Sequence, residues 1–162
     1  MNKSWIANGF TAANALFGGL SIMMSISGEY HVAAICILIA MAADAFDGRV
    51  ARALGTAGPM GVELDSLSDD ISFGVAAGAL MYSYQLRELG ALGFIPCALL
   101  GAFCAFRLAR FNVKVTSVHG YFEGLPCPTV GVIIACYVLS GVKIWNWLAM
   151  VCVLVLAVLM VS

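Results

Sequence analysis

Apolar residues run along this chain in six long blocks, at about 7–27, 31–53, 62–84, 91–112, 126–142 and 145–161, with polar residues gathered between them. Each block is close to the roughly 20 residues that a helix needs to cross the hydrocarbon core of a bilayer. The breaks read SGEY, GTAGPMG, QLRELG, KVTSVHGYFEGLPCP and GVKIWN, rich in Gly, Pro and charge, as turns should be. The pattern predicts an all-α integral membrane protein of six transmembrane helices, folded as a single domain over residues 1–162. Only Lys3 and no cleavage-like site precede the first block, so it reads as a retained helix and not as a signal peptide.

Composition agrees with the pattern. Hydrophobic residues make up 62% of the chain and charged residues 10%, against about half and a quarter in soluble domains. The net charge of −1 gives no field that would attract nucleic acid, and none is expected as a partner. The six cysteines, at 36, 97, 104, 127, 136 and 152, are scattered without a Cys-x-x-Cys pair and read as packing residues. Trp145 and Trp147 suit a membrane–water interface.

Lys and Arg orient the six helices. Lys3, Arg49, Arg52, Arg107, Arg110 and Lys114 fall on one side, and only Arg87 and Lys143 on the other. Basic residues concentrate in cytoplasmic loops, so both termini are expected in the cytoplasm of a cell-membrane protein. The second helix then ends, and the third begins, on the cytoplasmic side. That placement brings Asp44 and Asp47 together with Asp65 and Asp69.

The spacing of these acids is helical. Asp44 and Asp47 are three residues apart, Asp65 and Asp69 four, and both separations place side chains on one helix face. Four carboxylates on facing helices repel unless a cation lies between them. Hard oxygen donors suit Mg²⁺, Mn²⁺ or Ca²⁺. Gly48, Ala51 and Gly61 beside them remove side-chain bulk, and Arg52 is placed to contact a phosphate. The plainer alternative is an ion-pair network with Arg49 and Arg52. Ionisable residues inside a membrane are, however, functional by default. Asp70 lies about a quarter-turn from Asp69 and is expected to support it by packing.

From Asp44 the chain reads Asp-x-x-Asp-Gly-x-x-Ala-Arg, eight residues, Gly61, three residues, Asp65, three residues, Asp69. These eight fixed positions resemble the signature of the CDP-alcohol phosphotransferases, with every spacing kept. Three further stretches resemble the members of that family that use serine. In ANGFTAANALFGGLS, Asn8, Thr11 and Asn14 match, although Ala7 stands where Pro is usual; FRLARFNV supplies Arg107, Arg110, Phe111 and Asn112; YFEGLPCP supplies Phe122 to Pro128.

The resemblance implies transfer of a phosphatidyl group from CDP-diacylglycerol, or its ether-lipid equivalent, to the hydroxyl of L-serine, with release of CMP. It implies two divalent ions, Mg²⁺ or Mn²⁺ with Ca²⁺ as a possibility, on Asp44, Asp47, Asp65 and Asp69. Asp69 is the matched general base. Asn8, Thr11, Gly48, Ala51, Arg52 and Gly61 would line the nucleotide cleft, and Arg107 and Arg110 would clamp the serine. A homodimer among membrane lipids is also implied. Two alternatives stand beside this reading. One is a sibling transferase acting on glycerol phosphate or inositol phosphate, which would want a denser basic pocket. The other is a small cation transporter or channel, which would not need the small residues of the signature.

Overall fold

The computed structural model describes the backbone of residues 4–54, 58–115 and 124–162; the side chains of residues 4–8, 47, 50–54, 59, 114 and 115 are not among those described. The elements are helical throughout the described residues: α1 (Ser4–Ser27), α2 (Tyr30–Leu54), α3 (Pro59–Asp69), a π-helical turn (Asp70–Val75), α4 (Ala76–Tyr84), a short 3₁₀ turn (Leu86–Leu89), α5 (Ala91–Val115), α6 (Cys127–Leu139) and α7 (Asn146–Val161). The helices fall where the apolar blocks place them, with two differences. The third block is not one uninterrupted α-helix, because the π-turn joins α3 to α4. The fifth is shorter than expected, since α6 has 13 residues and so rises only about 20 Å. It stops where Gly141 adopts φ +67°, a left-handed conformation that favours glycine.

Gly and Ala let the helices approach closely. α1 packs most extensively on α2, α5 on α7, and α2 also on α6; the π-turn touches α1, α5 and α6. The core is built largely from small side chains: Ala33, Ala34 and Ala40 of α2, Ala76 and Ala77 of α4, Ala135 of α6, and Ala149 and Ala157 of α7 are all fully buried. Phe73 from the π-turn is the largest fully buried side chain among the described residues, followed by Ile37, Leu80, Leu86, Leu100 and Met160, and it fits because Gly131 of α6 lies beneath it. A Cβ at 131 would stand 2.8 Å from the Phe73 ring. Small residues at helix contacts are how apolar helices associate when burial of apolar surface gives little drive.

Large apolar side chains instead cover the outside. Ile26 is 74% exposed, Phe106 70% and Met23 63%. By length and composition, two helices, over Gly9–Ser27 and Ala91–Val113, are able to cross a membrane on their own; Tyr30–Phe46, Cys127–Leu139 and Asn146–Val161 are shorter apolar helices. At one end of the bundle, Gln85 ties the turn after α4 to the loop before α7. Its amide donates to the Ile144 carbonyl and the Asn146 side chain, and its carbonyl accepts from the Tyr137 hydroxyl. The acids lie at the other end, beyond α4.

The π-turn sets the phase between these ends. One extra residue in a turn rotates everything after it by about 100°. Asp65 and Asp69 on α3 therefore share a phase that is offset from the core face of α4, formed by Ala76, Ala77, Leu80 and Tyr84.

The contact between α4 and α5 yields a stability prediction. A Cβ at Gly78 would lie 2.4 Å from the Cys97 carbonyl oxygen, whereas one at Gly19 meets nothing within 4 Å. Gly78→Ala should destabilise the detergent-solubilised protein by about 1–3 kcal/mol through overpacking. Gly19→Ala should be neutral or stabilising by roughly 0.5–1 kcal/mol. Thermal unfolding of the two variants side by side checks this, and equal melting temperatures would contradict it.

Candidate active site

The acid cluster is assembled from α2 and α3. Asp44, Asp65 and Asp69 each place one carboxylate oxygen within 4.8 Å of the others. Asp44 and Asp65 are half-buried and Asp69 is buried. Two unit charges at that separation repel by about 3 kcal/mol or more at an effective dielectric near 20, so the geometry favours a bound cation. Opposite oxygen ligands lie about 4.2 Å apart around Mg²⁺ and about 5 Å apart around Ca²⁺. The three carboxylates fit such an ion with small side-chain adjustments. Asp47, the fourth expected ligand, lies outside the described side chains, as do Asn8, Ala51 and Arg52.

Asp69 is held from α1. The Asn14 amide donates to its Oδ1 at 3.0 Å. The Asn14 backbone carbonyl in turn accepts the Ser72 hydroxyl of the π-turn at 2.9 Å. Asn14 is fully buried, and its own side-chain oxygen has no partner. A buried amide oriented by one bond to a carboxylate fixes the rotamer of that carboxylate. Sequence reasoning matched Asn14 to a motif but assigned it no role. The signal was present: Thr11, Asn14, Gly18, Ser21 and Ser25 recur at intervals of three and four, and all five are buried on one face of α1.

The remaining residues divide. Thr11 is buried on the same face as Asn14, one turn earlier. Gly48 is exposed and Gly61 half-buried, and a Cβ at Gly61 would meet no atom within 4 Å, so the start of α3 borders open space. Arg107 and Arg110 each have a hydrogen-bond partner on another helix. Arg107 is half-buried and donates from Nη1 to the Cys127 Sγ at 3.6 Å. Arg110 is exposed and reaches the Val161 carbonyl of α7 at 3.5 Å. Asn112, from the same motif, donates to the Ser66 hydroxyl at 3.0 Å and ties the end of α5 to α3. Asp70 is half-buried against the Cys104 thiol, with a buried oxygen that lacks a partner.

Such a site can hold a divalent cation, accept a proton at Asp69 and present cationic donors from α5. Comparison with known proteins agrees with that chemistry. Residues 4–159 match the model of the CDP-alcohol phosphatidyltransferase family. The chain is 37% identical over 137 residues to the CDP-diacylglycerol–serine O-phosphatidyltransferase of Helicobacter pylori, covering 84% of this chain and 58% of that protein. It is 40% identical over 130 residues to the archaetidylserine synthase of Methanothermobacter thermautotrophicus, covering 79% and 55%. It is 38% identical over 122 residues to the CDP-diacylglycerol–serine O-phosphatidyltransferase of Bacillus subtilis, covering 75% and 68%. The chain thus spans a little over half the length of the first two of these relatives. With the family's acids in place on α2 and α3, and with the match running almost end to end, the chain belongs to the CDP-alcohol phosphatidyltransferase family.

Proposed function

We propose that the protein transfers the phosphatidyl group of CDP-diacylglycerol, or of its ether-lipid equivalent, to the hydroxyl of L-serine and releases CMP. The observation that carries this reading is the convergence of Asp44, Asp65 and Asp69, with Asp69 buried and oriented by Asn14. The names of the relatives support serine as the acceptor.

In this reading Asp44, Asp47, Asp65 and Asp69 hold two divalent ions, Mg²⁺ or Mn²⁺, which supply charge neutralisation for the pyrophosphate and the leaving CMP. Asp69 takes the proton of the serine hydroxyl as that oxygen attacks the lipid-side phosphorus. The phosphorus–oxygen bond to CMP breaks as the new ester bond forms. Asn14 keeps one oxygen of Asp69 engaged, so the other is presented to the proton in a fixed direction. The open space beside Gly61 and the small side chains of Gly48 and Ala51 leave room for the nucleotide, with Asn8, Thr11 and Arg52 as its polar contacts. Arg107 offers its guanidinium to the serine carboxylate, with Arg110 at the rim.

The single domain of residues 1–162 sits in the cell membrane as six spanning helices, with both termini and the acid cluster on the cytoplasmic side. The lipid-like exterior and the distribution of Lys and Arg support this placement. Two acyl chains then stay in the bilayer while the nucleotide is reached from the cytosol. A homodimer follows from the family resemblance.

Three outcomes test the proposal. Purified protein with CDP-diacylglycerol, Mg²⁺ or Mn²⁺ and a panel of alcohols should release CMP with serine. EDTA should abolish that release, and Asp44→Asn or Asp65→Asn should remove nearly all of it. CMP release with a phosphorylated alcohol but not with serine would overturn the acceptor, and full activity in EDTA would overturn the metal site. Asp69→Asn should lose on the order of 10²–10⁴ in kcat, the usual range for removal of a general base, while binding of CDP-diacylglycerol is largely kept. Asn14→Ala should lower kcat in the same direction by a smaller factor. An Asn14→Ala variant with unchanged kcat would show that the bond to Asp69 has no part in the reaction. For topology, Thr56→Cys should be labelled by an impermeant thiol reagent only from the cytoplasm and Arg87→Cys only from outside, in a protein whose native cysteines are replaced by serine. The reverse pattern would invert the orientation.

A further inference from the structure

Behind the acid cluster runs a second line of buried polar groups, contributed by the π-turn, α5 and α6. Cys104 of α5 and Cys127 at the start of α6 are both fully buried. Their thiols lie against each other, and Cys104 also lies against the Asp70 carboxyl. Cys127 accepts the Arg107 Nη1 hydrogen at 3.6 Å and lies within electrostatic reach of Asp69. The line therefore connects Asp70, Cys104, Cys127 and Arg107 in that order, and its Cys127 member is the one within reach of Asp69. Two of its atoms, Asp70 Oδ1 and Arg107 Nε, are buried with no hydrogen-bond partner.

Each thiol has one weak donor and one weak acceptor. The two thiols lie between the guanidinium and the Asp70 carboxyl, so those two groups do not meet directly. A direct salt bridge between Asp70 and Arg107 would occupy the planar fork of the guanidinium. A sulfur seat takes one of its five N–H groups, and only weakly, so the others remain available for an incoming anion.

We propose that Cys127, itself within reach of Asp69, is a positioning residue of the acceptor pocket: its thiol, backed by Cys104 and Asp70, seats the Arg107 guanidinium, which takes the carboxylate of the acceptor. The carboxylate is specified by the reading of serine as the acceptor given above, and the inference rests on that reading. Cysteine is suited to the position because it is small enough to be buried at the start of α6 and still offers a lone pair to the guanidinium. An aliphatic residue would fill the same space and leave that N–H without a partner.

The test is a comparison of Cys127→Ala and Cys127→Ser, with folding checked by melting temperature and elution from size exclusion in detergent. Cys127→Ala should raise KM for the acceptor about tenfold, the loss of roughly one charge-assisted hydrogen bond, while KM for CDP-diacylglycerol stays within about twofold of wild type. Cys127→Ser, which keeps a small acceptor atom, should recover most of the affinity. Cys104→Ala should give a weaker shift in the same direction. The proposal is overturned if Cys127→Ala leaves acceptor KM unchanged, if it raises both KM values together, or if serine is no better than alanine at the position. A wild-type protein that uses a phosphorylated alcohol and not serine would sink the serine reading separately. In that case the same split, measured in that alcohol's KM, decides whether the seat stands.

Discussion

Carboxylates that crowd together at the end of an apolar helix bundle are the constraint around which the rest of this structure is arranged. Bringing Asp44, Asp65 and Asp69 within 4.8 Å of one another opposes folding through mutual repulsion and loss of water. A cation in the gap would relieve that repulsion, and α1 and the π-turn hold Asp69 in place. α1 contributes a buried polar face, so that Asn14 meets Asp69. The π-turn directly after Asp69 returns a hydroxyl from Ser72 to the Asn14 carbonyl. It also shifts the phase of the chain, so that α4 buries its alanines while α3 keeps its acids together. π-helical turns are frequent at functional sites, and this one locks the acid-bearing helix to its supporting helix.

A second consequence is the division of labour between small and charged residues. α2 and α3 present a cluster with little side-chain bulk around it: Gly48 and Gly61 flank the acids, and the space beside Gly61 is open. On the other side of Asp69, α5 and α6 bring cationic and thiol groups. The described side chains around the acids therefore differ on the two sides, with glycine and open space beside the start of α3 and cationic and thiol groups from α5 and α6.

Much of this was legible in the sequence, for physical reasons. Long apolar runs favour helices, so the helix positions were legible in the six blocks. Asp and Arg interrupt the second to the fourth, however, and among the described residues only two helices are long and apolar enough to cross a membrane on their own. Acids at intervals of three and four could only be useful on one helix face, and their identity as hard oxygen donors indicated the kind of ion. The family was equally plain, because eight positions with fixed spacing leave little room for chance. Other features were hidden. When a helix is apolar all round, hydropathy does not say which face is packed, so Asn14 was matched but given no partner. The π-turn has no local composition that announces it. Arg107 and Arg110 share a face by spacing, yet long side chains find partners on different helices, Cys127 for one and Val161 for the other. Four of the six cysteines are the buried packing residues expected, while Cys136 and Cys152 are exposed, and only the tertiary structure shows that one of the buried four, Cys127, touches Arg107.

The central claim is that the carboxylates of α2 and α3 form a divalent-cation site independently of any substrate. The most direct test is to count bound Mn²⁺ by electron paramagnetic resonance in the purified, substrate-free protein. Wild type should bind Mn²⁺ in stoichiometric amount, in competition with Mg²⁺, and the Asp44→Asn/Asp65→Asn double variant should bind none while keeping its helical content. Mn²⁺ binding that survives in that variant, or that is missing from the folded wild type, would contradict the account.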